Sequence, residues 1–132
     1  MKKEELLQGI QAGKYDEMLV KLYGQEALTA QKQRYSQAVK KFATLYPERE
    51  DMEVFSAPGR TEVCGNHTDH QHGKVLAAAI NLDAVAVVGF HEDGVIRLHS
   101  EGYPAITVEL SDLAINEAEH GTTKALIRGM AA

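Results

Sequence analysis

The chain has 132 residues, a size that fits one domain with a single hydrophobic core. A net charge of -5 argues against a nucleic-acid-binding surface, and no apolar run is long enough to cross a membrane. One cysteine, Cys64, excludes an internal disulfide and, together with the lack of an apolar signal segment, predicts a cytoplasmic location.

Residues 3–46 are predicted to be helical. The clearest helix is expected over 26–46, where apolar residues recur at helical spacing: Tyr35, Val39, Phe42 and Tyr46. Pro47 should end it, because the residue before a proline avoids the helical region. The polar positions of this helix carry a basic stripe that we expect to face solvent: Lys32, Arg34, Lys40 and Lys41. Residues 1–50 are therefore predicted to be a helical N-terminal extension.

From residue 51 the pattern changes to strands and turns. Short apolar or alternating segments predict five strands: Glu53–Ala57, Val75–Ala79, Ala84–Phe90, Val95–Ser100 and Ile106–Leu110. Turns are expected at Pro58-Gly59 and at Glu92-Asp93-Gly94. A last helix is predicted over 122–132, with Thr122 or Thr123 as its cap. This order predicts an α+β fold with a mainly antiparallel sheet.

The chemistry is concentrated in residues 58–69, Pro-Gly-Arg-Thr-Glu-Val-Cys-Gly-Asn-His-Thr-Asp. Arg60 is a permanent cation that binds phosphate or carboxylate oxygens well, and the predicted turn before it would aim its side chain away from the strand. Asn66, His67 and Asp69 offer the donors and acceptors that suit hydroxyl groups. The set predicts a site for a polyhydroxylated substrate onto which an anion is transferred.

Simpler interpretations of the same residues remain open. Arg60 alone would fit a surface salt bridge, and Asn66 and Asp69 would fit turns. The crowding of His67, Asp69, His70 and His72 suits a transition metal, but the spacing matches no standard ligand pattern, and we predict no metal site. Cys64 is interpreted as a small buried residue and not as a nucleophile.

The segment resembles the signature of the galactokinases, in the GHMP family of small-molecule kinases. Their pattern runs Gly-Arg-x-Asn-x-x-Gly-Glu-His-x-Asp-Tyr, followed by Gly and Val-Leu-Pro, and the close match covers about residues 56–83. The resemblance implies transfer of phosphate from MgATP to the anomeric hydroxyl of galactose. It implies that Arg60 stabilises the transition state and that four residues bind the sugar: Asn66, His67, Thr68 and Asp69. The implied fold is the GHMP N-terminal domain, related to the second domain of ribosomal protein S5.

The chain departs from this pattern at several positions. Glu62 replaces the asparagine, Asn66 the glutamate, His70 the tyrosine and Ala77 the proline. The change at Asn66 leaves the exact sugar preference open.

The Gly/Ser-rich ATP loop and the aspartate base of galactokinases have no counterpart in the sequence. Residues 51–132 are therefore predicted to be the first part of the GHMP domain, with ATP and Mg²⁺ bound outside this chain. The chain alone is expected to be inactive, and the apolar face it exposes should favour self-association. Two alternatives remain: a non-catalytic sugar-sensing relative, and a GHMP kinase for another sugar.

Overall fold

The computed structural model describes residues 1–65 and 72–132 and confirms an α+β architecture with antiparallel strands. The chain divides into two compact units, Met1–Phe90 and His91–Ala132, which are described separately. The helices are α1 (Lys3–Gln11), α2 (Asp16–Tyr23), α3 (Leu28–Leu45) and α4 (Thr123–Ala131), with short 3-10 helices at Gln25–Ala27 and Glu117–Glu119. The strands are β1 (Glu53–Cys64), β2 (Leu76–Val88), β3 (Val95–Leu98) and β4 (Ile106–Glu109).

The predicted helical region consists of three helices. α3 confirms the helix expected over 26–46, and it ends two residues before Pro47. Gly24 follows α2 with a φ of 87°, a backbone conformation that glycine adopts without steric cost and that separates α2 from the next turn. The buried core of the first unit comes from these helices and from the residue before β1: Leu6, Ile10, Leu19, Tyr23, Tyr35, Val39 and Met52.

β1 and β2 form one long antiparallel pair, which corrects two predictions. β2 is a single strand where two were expected, and β1 continues through Pro58-Gly59, where a turn was expected. Pro58 pairs with Asp83 but Arg60 pairs with Ala79, so the register steps by two residues on β1 and by four on β2. A bulge of this kind absorbs the proline, which cannot donate to the strand ladder, without ending the pairing.

The helices pack on this strand pair. Val54 and Val85 contact one buried cluster, and Val54 and Val87 contact the other. At Gly89, just after β2, a methyl group would lie 2.8 Å from Cζ of Phe42 on α3, so any larger residue there would have to displace the Phe42 ring. The first unit thus places α3 directly against β2.

The second unit contains the β3–β4 hairpin and α4. Val95 pairs with Glu109, and Val108 is fully buried. The hydroxyl of Thr122 accepts a hydrogen bond from the backbone N–H of Ala125 at 3.2 Å, which confirms one of the two predicted caps of α4. Among the described residues, no helix combines the length and apolar character that crossing a membrane requires.

Candidate functional site

Arg60 lies on β1 with its side chain 65% exposed. Its Nη2 donates a hydrogen bond to Oε1 of Glu62 at 3.1 Å. Residues two apart on a strand point to the same side, so the cation and the carboxylate pair on one face of the hairpin. The strand itself, and not a turn, presents the guanidinium. Among the described residues, Glu62 is the hydrogen-bond partner of a guanidinium that offers five N–H donors.

The four sugar-binding residues implied by the resemblance lie outside the described residues: Asn66, His67, Thr68 and Asp69. Their assignment stays a prediction. They belong to the chain that joins Cys64 to Leu76, and these two residues pair at the same end of β1 and β2. Arg60 lies four residues before Cys64 on that strand, so it is close in sequence to the predicted sugar segment.

The metal interpretation depends mostly on the same segment, since His67, Asp69 and His70 also lie outside the described residues. Within residues 1–65 and 72–132, no three His, Cys, Asp or Glu side chains are grouped so that they could hold a metal ion. Cys64 is exposed, so the expectation that it is buried was wrong. It occupies the last position of β1.

Asp83 is the centre of a polar cluster that sequence reasoning missed. Its side chain is only 3% exposed. Oδ2 accepts hydrogen bonds from the hydroxyls of Tyr23 at 2.6 Å and Ser56 at 2.5 Å, while Oδ1 accepts one from Nη1 of Arg34 at 2.6 Å. Nη2 of Arg34 also donates to the backbone carbonyl of Asp83 at 2.8 Å. Four hydrogen bonds to one residue therefore join α2 and α3 to both strands.

Tyr35 extends this cluster. Its hydroxyl lies 2.8 Å from that of Tyr23. Tyr23 has one O–H proton and gives it to Asp83, so Tyr35 is the donor in the tyrosine pair. Burial, followed by the hydrogen bond to Asp83, raises the pKa of Tyr23. Burial opposes ionisation of Asp83, but the bonds from Ser56, Tyr23 and Arg34 outweigh it and hold the pKa of Asp83 below its usual value.

The basic stripe of α3 is only partly solvated, which corrects the sequence prediction. Lys40 and Lys41 are exposed as expected. Arg34 instead binds Asp83, and Nζ of Lys32 lies 2.8 Å from Oδ1 of Asp16 on α2. The sequence signals for this contact were one acid, Asp83, within the apolar run of β2 and one arginine, Arg34, on a helix. Neither residue indicates its partner until the fold is known.

A small cavity of about 140 Å³ lies beside this cluster in the first unit. Its lining residues come from α2 and the two strands: Leu22, Tyr23, Ser56, Pro58, Ile80, Asn81 and Asp83. Pockets for small-molecule ligands usually exceed about 300 Å³. We therefore treat the polar cluster as part of the framework of the site and not as a substrate pocket.

Residues 40–90 match the family described as the galactokinase galactose-binding signature. The chain matches the N-terminal part of the galactokinases. The galactokinase signature covers the end of α3, both long strands, Arg60, the predicted sugar segment and Asp83.

The chain is also similar in sequence to individual galactokinases. The chain is 33% identical to the galactokinase of Lactococcus lactis subsp. lactis (strain IL1403) over 86 residues, which is 65% of this chain and 22% of that protein. It is 46% identical to the Streptomyces coelicolor enzyme over 63 residues, 46% of this chain and 16% of the relative. It is 35% identical to the Candida parapsilosis galactokinase over 98 residues, which is 71% of this chain and 19% of that protein. The chain thus spans about a fifth of the length of these relatives. No solved structure gave a significant match.

Proposed function

We propose that this chain supplies the sugar-binding part of a galactokinase-type enzyme, which transfers the γ-phosphoryl group of ATP to the anomeric hydroxyl of galactose. The observation that carries this proposal is the match of residues 40–90 to the galactose-binding signature. The proposed fold is the GHMP kinase N-terminal domain, related to the second domain of ribosomal protein S5. Residues 51–132 form its first part, and residues 1–50 are its helical extension.

Arg60 is the proposed transition-state stabiliser. Phosphoryl transfer spreads negative charge over the moving group and the oxygens on either side, and a fixed cation offsets that charge. The exposure of the guanidinium and its ion pair with Glu62 support this role, because within the described part of the chain the side chain is oriented by a partner and still accessible. Glu62 stands where the galactokinase pattern has asparagine, so this chain holds its arginine with a carboxylate.

The sugar is proposed to bind to Asn66, His67, Thr68 and Asp69. A carboxylate accepts hydrogen bonds from two neighbouring hydroxyls, and the amide and imidazole add donors and acceptors. Galactose is the proposed substrate because the matched family is described as a galactose-binding signature.

ATP and Mg²⁺ enter this proposal as the cosubstrate and its metal ion. We assign no ligand for either to residues 1–65 and 72–132, where no metal-binding group is found, and we derive no step through them. The enzyme is proposed to act in the cytoplasm. Self-association of the 132-residue chain also stays a prediction, favoured by exposed apolar side chains of the strand pair such as Val63, Leu76 and Leu82.

The proposal is tested with the full product of the gene that encodes this chain. We expect it to bind galactose and to form sugar phosphate when ATP and Mg²⁺ are present, with glucose as the control sugar that differs at one hydroxyl. Galactose binding without phosphate transfer would instead indicate a sugar-sensing relative. Phosphorylation of another sugar but not of galactose would indicate a different specificity.

A further inference from the structure

We infer that Arg34 and Asp83 form a positioning device: their contact fixes the N-terminal helices on the β1–β2 pair at the bulge before Arg60 and so orients Arg60. This inference rests on the proposed function, because it gives the helical extension a role in the same site. Arg34 lies on α3 and Asp83 on β2, 49 residues apart in sequence.

The contact is a two-point one. Nη1 of Arg34 binds the carboxylate of Asp83 and Nη2 binds the backbone carbonyl of the same residue, at 2.6 and 2.8 Å. A planar guanidinium held at two points fixes both the distance and the orientation of its partner, which a single ammonium cannot do. The bond to the carbonyl matters most here, because it restrains the backbone of β2 and not only a side chain.

Asp83 lies directly at the bulge. It pairs with Pro58, and the next regular pair along the hairpin is Arg60 with Ala79. Between them, Gly59 packs closely on β2: a methyl group there would lie 3.2 Å from the carbonyl oxygen of Leu82. A displacement of β2 at Asp83 would therefore pass through Gly59 to the backbone of Arg60.

Ser56 and Tyr23 make the device specific to this point of the sheet. The Ser56 hydroxyl ties β1 to Oδ2 of Asp83, and the Tyr23 hydroxyl ties α2 to the same oxygen. Both strands, α2 and α3 thus meet at the nearly buried carboxylate of Asp83. Its partner on β1, Ser56, lies two residues before Pro58 and four before Arg60.

The chain offers a matched control on the same helix. Lys32 forms an ion pair with Asp16 at 2.8 Å that joins α3 to α2 and involves no strand residue. Loss of either pair weakens the packing of the helices. Only loss of the Arg34 pair releases the strands at the bulge.

The test compares Arg34→Ala, Arg34→Lys and Lys32→Ala in two measurements. In the 132-residue chain, hydrogen exchange of the β1 amides of Arg60, Thr61 and Glu62 should become at least about tenfold faster for Arg34→Ala, and stay within about twofold for Lys32→Ala. In the full gene product, Arg34→Ala should lower kcat for galactose by about tenfold to a hundredfold with a smaller change in KM, because a misplaced catalytic group slows the chemical step. Lys32→Ala should leave kcat within about twofold of wild type.

Arg34→Lys is included in case the alanine variant does not fold. It keeps the charge but loses the two-point contact, so we expect a folded protein whose kcat and β1 exchange lie between those of the wild type and Arg34→Ala. Full wild-type values for this variant, or equal β1 exchange in Arg34→Ala and Lys32→Ala, would overturn the inference. If the wild-type gene product does not phosphorylate galactose, the proposed function fails, and the exchange measurement alone decides whether Arg34 fixes β1.

Discussion

At position 60 an exposed guanidinium stands on a strand, 3.1 Å from the carboxylate of Glu62. We expect Arg60→Ala in the full gene product to lower kcat by about a hundredfold to a thousandfold, the usual effect of removing one group that stabilises transition-state charge. KM for galactose should change little. Steady-state kinetics measures both, with Arg49→Ala as the control, since Arg49 pairs with Glu48 outside the strands. An unchanged kcat in Arg60→Ala would remove the arginine from the chemistry.

Asp69 is the residue to which the galactokinase resemblance gives the sugar hydroxyls. Its truncation would leave substrate hydroxyls unpaired, at a cost of about 1–3 kcal/mol. Asp69→Ala should therefore weaken the binding of galactose to the full gene product between about fivefold and 150-fold, measured by calorimetric titration. Glu101→Ala removes an exposed carboxylate in the second unit and should leave Kd as in the wild type. Equal Kd values for both variants would refute the role of Asp69.

Asp83 on β2 binds residues of two helices and of β1 through its carboxylate. Asp83→Asn removes the ion pair and leaves Arg34 beside a neutral amide. Removal of one partner of a buried ion pair costs about 3–5 kcal/mol, and because Arg34 is 39% exposed we expect about 2–3 kcal/mol for this variant. Urea denaturation at neutral pH measures the loss. Ser56→Ala removes one hydroxyl donor to the charged carboxylate and should cost about 1.5 kcal/mol, and a larger loss for Ser56→Ala than for Asp83→Asn would contradict the central role of the ion pair.

The pH dependence of the same variant follows from the depressed pKa of Asp83. Unfolding returns the carboxyl to its ordinary pKa of about 3.9, so the stabilisation by ionised Asp83 is fully present above that value. It is lost as the pH falls through the lower pKa of the folded state. The free energies of unfolding of wild type and Asp83→Asn should therefore converge in acid, whereas a constant difference down to acid pH would show that the ion pair is not its source.

Thr122 stabilises the start of α4 in the second unit. It caps α4 through the bond from the backbone N–H of Ala125, and loss of such a cap costs about 1 kcal/mol. Thr122→Ala should speed hydrogen exchange in the first turn of α4, while Thr123→Ala, one residue into the helix, should have little effect. Similar exchange rates in the two variants would show that the cap contributes nothing.

Local pattern predicted those elements whose stability is local. The spacing of Tyr35, Val39 and Phe42 predicted α3, and threonine before an apolar stretch predicted the cap of α4. The break expected in β2 was wrong for a physical reason. Asp83 interrupts an apolar strand in sequence, but in the fold Arg34, Tyr23 and Ser56 satisfy it, and so the strand continues.

In the candidate site, too, some features follow from the sequence and others depend on the fold. The residue types of the signature limit what Arg60 and its neighbours can bind, and the chemistry assigned to them from sequence stays a prediction. The role of Arg34 was not predictable, because its partner lies on a strand that follows 49 residues later. The pairing of Pro58 with Asp83 at a bulge likewise depends on a register that a sequence window does not contain.

At the scale of the whole molecule, the chain corresponds to about a fifth of the length of the galactokinases it matches. Its first unit combines three α-helices, a long strand pair and an exposed arginine that precedes the predicted sugar segment in sequence. We propose that these parts serve the phosphorylation of galactose.

The most direct test is phosphorus NMR of the full gene product incubated with galactose, ATP and Mg²⁺. We expect galactose 1-phosphate to accumulate with equal formation of ADP and to be strongly reduced in Arg60→Ala, and we expect no sugar phosphate to form when glucose replaces galactose. A folded wild-type protein that binds galactose and MgATP but forms no galactose 1-phosphate would contradict the proposal.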